Sequence, residues 1–376
     1  MKVSLRRFCH KYGCWLLLPV LLLAGCSPAA APRKRFFWPI GTGQPRIEYL
    51  NYYLGEQDLK RGVENPFSDA VFGRERPVPV FQQPHAIAVK KDEVLVSDLI
   101  IKKVVVLDFS QKKIRYLKDA KGRDYLFRRP IGIAVAPRGT VLVVDAIEHR
   151  VDVFSAADAY LKSFGQNHLS RPTGIAVSPD GQQVWVVDTG AHRLVHFDGD
   201  GNYLGEMGAR GVAPGMFNFP LDADFDAEGN LYVLDAMNAR VQVFSPQGKF
   251  LRAFGGRGTQ RGLFRIPKSL AVSRTSGLIY VTDSMANDFI VFDLQGRLLL
   301  TVGGHYASNL SKVVPGGMNL PKAIAVDKQD GIWVVDGLNR MVHRFQYLTP
   351  AYLEKHPILP GERLVPTAVF KSTPAK

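Results

Sequence analysis

Residues 84–109 read PHAIAVKKDEVLVSDLIIKKVVVLDF, three apolar stretches of five or six residues separated by polar turns. Runs this short, rich in valine and isoleucine and bounded by Lys, Asp or Ser, are the pattern of β-strands and not of helices. The pattern returns. Aligned on a proline followed by an apolar strand, the chain gives Pro84, Pro130, Pro172, Pro220, Pro267 and Pro321, at spacings of 46, 42, 48, 47 and 54 residues. In each unit a second strand ends in aspartate: Asp98, Asp145, Asp188, Asp235, Asp283 and Asp336. A third strand follows, and a fourth segment that often ends near glycine.

Four strands at this period predict one blade of a β-propeller, and six units predict a six-bladed, all-β ring. A single blade cannot bury both of its faces, so neighbours must stack around a central channel. Blade six lacks a fourth strand downstream of residues 345–348, whereas RIEYLNYYLG (46–55) stands unused before blade one. The reading is that 46–55 supplies that strand and closes the ring, which removes an open edge. The propeller then spans 46–348, with 56–83 an insertion containing one or two helical turns and 349–376 a proline-rich tail.

The N-terminus has a different pattern. Lys2, Arg6, Arg7 and Lys11 precede an apolar run from Trp15 to Leu23. That run is too short to span a bilayer but suits the core of a signal peptide. It ends in Leu23-Ala24-Gly25-Cys26, which resembles the bacterial lipobox. The resemblance implies removal of residues 1–25, acylation of Cys26 and, with serine at 27, an outer-membrane address. Several buried acyl chains anchor stably, at ~0.8 kcal/mol per methylene. Cys9 and Cys14 would be discarded, which leaves no thiol for a disulfide. No Cys-x-x-Cys-His occurs, so covalent haem is excluded. Residues 26–45, with four prolines, read as an extended tether. Its Arg33-Lys34-Arg35-Phe36-Phe37-Trp38 cluster has two open roles, contact with lipid headgroups or packing onto the domain.

The proline before strand one, the aspartate closing strand two and the turns His149-Arg150, Asn238-Ala239-Arg240 and Asn339-Arg340 resemble NHL-repeat propellers. The resemblance covers about residues 46–347 and implies the fold. It does not imply one function, because such propellers serve as scaffolds, nucleic-acid binders and lyases.

Candidate chemistry lies where the repeat is kept and where it breaks. Four residues, Lys103, Arg150, Arg193 and Arg240, stand five positions after their aspartates, and Arg340 stands four after Asp336. Acid and base can meet across the turn, and six copies of the aspartate point to structure, since an active site needs one. Blade five has Asp288 in the basic slot, so Asp283 and Asp288 are candidates for sharing a cation. Positions two and four after the proline are Ala, Gly or Ser in five blades but Asp222 and Asp224 in blade four. A carboxylate there faces the channel or needs a partner.

The slot immediately after the proline reads His85, Ile131, Thr173, Leu221, Lys268 and Lys322. NHL-type amidating lyases hold zinc with histidines at the channel mouth. With one histidine in six slots that resemblance fails at the metal, and a cluster of His85, His149, His168, His192 and His305 elsewhere on that face is the remaining histidine candidate. The sequence DGDGN (198–202) imitates half of a calcium loop but aligns with hairpin turns in other blades.

The charge is +14; residues 1–25 hold four of the 48 basic and none of the 34 acidic residues, so their removal gives +10. Basic residues crowd the blade-to-blade loops, with Arg128, Arg129, Arg210, Arg257, Arg261 and Arg265, and the channel mouth, with Lys268 and Lys322. A basic face attracts anions. For an exported lipoprotein these are a protein, an anionic glycan or lipid headgroups, and nucleic acid is not expected. The leading reading is a membrane-anchored binding module without a cofactor. The rival is a metal-dependent lyase or lactonase-like hydrolase in the channel, using Asp222, Asp224 and His85.

Overall fold

The strands of the computed structural model assemble as six sheets, each the wall of one sector around a channel. They are antiparallel except in the fifth, where Gly317–Met318 adds a short parallel strand outside Leu298–His305. Residues 35–41, 43–60, 78–306 and 313–363 are described. The expected signal peptide and Cys26 lie outside them. Blade one contains Pro84–Lys90, Glu93–Asp98, Lys103–Asp108 and Lys113–Tyr116, from the channel outwards. Blades two to five repeat this order from Pro130–Val135, Pro172–Val177, Pro220–Phe225 and Pro267–Val272. In every blade the register slips just after the opening proline. A residue without an N–H is tolerated at the start of a strand, and the bulge that follows lets the innermost strand bend.

Blade six closes the ring as its missing strand implies. Pro321–Val326, Gly331–Asp336 and Met341–Tyr347 are followed by Ile47–Tyr53, which pairs antiparallel with Met341–Tyr347. The expected tether is corrected at its end, because Phe36–Trp38 adds a fifth strand outside Ile47–Tyr53. Phe36, Phe37 and Trp38 are buried, so this aromatic cluster packs on the domain and does not face lipid. Arg35 pairs with Glu48 at 2.7 Å and reaches Glu362 at 3.3 Å, tying the segment around Glu362 to the blade. The segment after 349 is not wholly a trailing tail, since Pro350–Lys355 forms a helix capped by Thr349. Within 56–83, Glu56–Leu59 forms one helical turn and Phe81 is buried; residues 61–77 lie outside the described part.

The cores lie between blades. One cluster joins Leu142, Val144 and Val151 of blade two to Ile175, Val184 and Val186 of blade three, and similar clusters fill the other five interfaces. The second strand of each blade is therefore buried on both sides, as stacked sheets require, while the fourth strands of blades three and four are partly exposed. Near the channel the innermost strands approach closely: a Cβ on Gly132 would run into the Thr173 carbonyl oxygen, and one on Gly174 would lie 2.7 Å from Asp222 Cα. This is why position two after the proline is small in most blades.

Candidate functional site

The recurring aspartates are fully or almost fully buried, and their main partners are backbone N–H groups in all but Asp235, which accepts from the Asn218 N–H and from the side chains of Asn238, Arg240 and Gln242. Asp98 accepts from Gln82, Gln83, Ile100 and Ile101. Asp145 accepts from Arg128, Arg129, Ile147 and Glu148, and Asp283 from Arg265, Ile266, Met285 and Ala286. Asp188 and Asp336 likewise hold the backbone just before Pro172 and Pro321. Each carboxylate thus clamps the loop opening its blade to the turn that follows strand two. The N–H groups are satisfied without water, and their combined dipoles hold the charge.

The expected acid–base strut is corrected. Arg193 meets Asp188 at 3.3 Å and Arg240 meets Asp235 at 2.8 Å. Lys103, however, pairs with Asp124, and Arg150 with Asp152. Opposite Asp336 stands Met341 rather than Arg340, and the side-chain partners of Asp336 are Asn339 and His343. A short cross-strand distance does not make a pair when the carboxylate is already occupied by N–H groups.

His192 belongs to the same scheme. Its Nδ1 accepts the Phe219 N–H at 3.1 Å and its ring packs on Phe219, linking blade three to blade four. Asn287 does the same for Leu320 between blades five and six. His168 stacks on Tyr203 at 4.1 Å, and His149 is exposed. Among the described residues no group of three His, Cys, Asp or Glu converges as metal ligands, so the candidate histidine cluster is not assembled. All the turn and loop N–H groups around Asp283 already fill its oxygens. Asp288 lies directly across the ladder from it, with Oδ1 lacking a hydrogen-bond partner among the described residues. Burial, and then repulsion by Asp283, push Asp288 up to about 7. The two carboxylates thus face each other as a like-charged pair across the ladder.

Asp222 and Asp224 line the channel wall and are occupied. Asp222 Oδ2 accepts from Ser269 Oγ at 2.6 Å and from the Leu270 N–H at 3.1 Å. Ser269 Oγ in turn accepts the Ile324 N–H at 3.3 Å, so three innermost strands are joined. Asp224 accepts the Val272 N–H at 2.9 Å, with Arg274 3.7 Å away. In the other blades the small side chain lets strands touch; here the carboxylates bridge to the next strand. Burial pushes Asp222 up to about 7, against the hydrogen bonds from Ser269, Leu270 and Ala223, and burial also raises Asp224.

The channel has a volume of about 970 Å³. At its mouth stand His85, Lys268 and Lys322, all half-buried. His85 Nδ1 lies 3.2 Å from the Ile131 carbonyl, and burial, followed by Lys322 and Arg129, lowers its pKa to about 4. The carbonyl can only accept, so Nδ1 carries the hydrogen of a neutral ring. A second cavity of about 780 Å³ opens on the same face between blades two and four, over Ile131, Ile147, Phe219 and Leu221, with Arg129 and Arg171 at its sides.

That face, called the top, carries the blade-to-blade loops and the turns after strand two. Arg128 lies 3.8 Å from Glu148. Arg129, Arg210, Arg257, Arg261, Arg265, Lys268 and Lys322 form no ion pair among the described residues. Arg257 donates to the Met237 and Arg265 carbonyls, which holds it across the rim.

The top also carries a feature missed in the sequence. Two positions after each clamping aspartate stand Ile100, Ile147, Gly190, Met237, Met285 and Leu338. The five large residues are between 47% and 58% exposed. They form a crown of apolar side chains on one face, broken only at Gly190. The repeat register would have found them, since an apolar residue recurs where the turn projects into solvent.

Comparison with known proteins agrees with this architecture. A family model described as SMP-30/Gluconolactonase/LRE-like region matches residues 81–255, and one described as 6-bladed beta-propeller matches residues 224–303. No curated protein sequence matches the chain. Among solved structures, a Bacteroides thetaiotaomicron protein of unknown function is similar at 18% identity and TM-score 0.55, over 71% of this chain and 70% of that one. An auxiliary nutrient binding protein of the same species is similar at 10% identity and TM-score 0.54, over 71% and 69%. Virginiamycin B lyase from Staphylococcus aureus, solved with quinupristin, is similar at 12% identity and TM-score 0.51, over 72% and 83%. At these identities the likeness is one of fold.

Proposed function

We propose that the chain is a lipid-anchored binding module of the bacterial cell envelope, with the top face as its docking surface. The crown carries this reading: five large apolar side chains at one repeat position, on the same face as arginines without carboxylate partners. Scattered apolar residues on a surface are ordinary, but a set concentrated on one face by the repeat is the composition of an interface. The unpaired arginines favour a partner with acidic groups, which they would also steer towards the face in a salt-dependent way. The partner class supported best is a protein; the charge alone also suits an anionic glycan or lipid. Anchoring through Cys26, with an outer-membrane address, rests on the lipobox.

Affinity capture from detergent-solubilised envelopes tests the docking surface. The same identified partner is expected with the wild type and lost with R257E/R261E/R265E and with I147S/M237S/M285S. Capture unchanged in both variants contradicts the reading. Fractionation tests the anchor, since C26A is expected in the soluble fraction and without label from radioactive palmitate.

The match of residues 81–255 to the SMP-30/gluconolactonase model favours a second reading, a lactonase-like hydrolase in the channel. Asp222 and Asp224 speak against it, because their oxygens already serve as inter-blade acceptors. Lactone hydrolysis that depends on added divalent metal and is lost in D222N would support the enzyme.

A further inference from the structure

The channel mouth is two-sided. Lys268, Lys322 and His85 occupy equivalent slots on the consecutive blades five, six and one, whereas Ile131, Thr173 and Leu221 occupy those slots on blades two, three and four. One arc therefore puts its cations at the mouth itself, whereas the other presents Ile131, Thr173 and Leu221 there and keeps Arg129 and Arg171 farther out. Neither lysine forms an ion pair among the described residues, although both are half-buried. The stem of Lys322 lies over Gly337, where a Cβ would stand 2.8 Å from its Cγ, so the ammonium is held at the mouth. His85, being neutral, adds no third charge beside them. Two like charges in partial burial and without a counter-charge are an unfavourable arrangement by themselves, and burial and Lys268 both lower the Lys322 pKa. A bound anion relieves both effects.

The second arc continues outwards into the 780 Å³ cavity, where Ile131, Ile147, Phe219 and Leu221 form an apolar floor and Arg129, Arg171, Ser170 and Thr189 form a polar rim. This cavity opens where the crown is broken. At Gly190 a Cβ would stand 2.8 Å from Arg171 Cβ, so the position that carries a large apolar residue in the other five blades is kept clear. A concave, mainly apolar site with a few convergent polar groups, of ~300–1,000 Å³, is the usual form of a small-molecule site.

We propose that the mouth binds a small amphipathic anion, with its carboxylate or phosphate between Lys268 and Lys322 and its apolar body over Ile131, Leu221 and Phe219. This assignment does not rest on the docking of a protein partner. A charged hydrogen-bonding contact is worth enough that loss of both ammonium groups weakens binding about tenfold or more.

The test is titration calorimetry of the full-length protein with monomeric decanoate, decyl phosphate and decanol. The anions are expected to bind, and decanol more weakly. K268M/K322M, which keeps the stems, is expected to reduce the anions to the level of decanol and leave decanol unchanged. K268R/K322R, which keeps the charge, is expected to retain anion binding and serves as the control for folding. Sedimentation with phosphatidylglycerol vesicles separates sources: binding lost in K268M/K322M assigns the anion to a lipid headgroup, and binding of the monomers alone assigns it to a free acid. Anion affinity unaltered in K268M/K322M, equal affinity for decanol and decanoate, or no binding of either anion overturns the proposal.

Discussion

At the scale of single residues, one carboxylate per blade does more to fix the turn geometry than any cross-strand ion pair. Replacing Asp98 or Asp145 by alanine leaves up to four buried N–H groups without an acceptor, so a loss of about 1.5–3 kcal/mol is expected, read as a lowered midpoint in urea denaturation. Arg340→Ala, which removes a base without a carboxylate partner among the described residues, is expected to leave the midpoint within error. Asp288 gives the opposite sign. Its carboxyl is pushed up to about 7 in the folded chain and lies near 3.9 when unfolded. The folded state then binds the proton more tightly, so stability falls as pH rises from about 4 to about 7 and is flat above. Asp288→Asn is expected to stabilise by about 1–3 kcal/mol at pH 8 and by nothing near pH 4. Melting curves at the two pH values check this, and an equal shift at both would contradict it. The six-fold recurrence made the aspartates legible as structural. Their acceptor role was not legible, because partners such as Gln82 and Gln83 are backbone groups, which no side-chain pattern records.

At the scale of elements, the closing strand was readable by subtraction. Blade six lacked a fourth strand, and 46–55 was a strand without a blade. Phe36–Trp38 was not readable, since aromatic residues beside arginines and prolines suit a headgroup contact as well as an edge strand. Its packing decides the matter: Trp38 is 2% exposed and meets Phe345 edge-on at 5.8 Å. Trp38→Ala is expected to destabilise by about 3–5 kcal/mol. Gly316 gives a second check. Its φ is +71°, and a Cβ there would strike the Trp38 ring. Gly316→Ala should therefore lower the thermal midpoint by itself, and by less beside Trp38→Ala, where the ring clash is gone and only the left-handed backbone strain remains. Full additivity in the double variant would contradict this packing.

At the scale of the whole molecule, the ring converts sequence position into face. Loops separated by more than forty residues become neighbours, so a residue recurring once per blade becomes a crown. The basic side chains were visible in the sequence as loop charges, and their place on the top followed from strand order. The crown was missed because Ile100 or Met237 read alone is an apolar residue beside a strand; its recurrence two positions after the aspartate in five blades is the signal that marks it. The same geometry explains why Asp222 and Asp224 looked like a site. They break the repeat, but they break it to bridge two blades. Site-specific photo-crosslinking in cells tests the docking face most directly, with the crosslinking residue placed at Ile147, Met237 or Met285 on the top and at Asp92, Glu228 or Gln329 on the opposite face. The account expects one and the same partner to be captured from the top positions and from none of the others; capture from the opposite face alone, or equally from both, would contradict it.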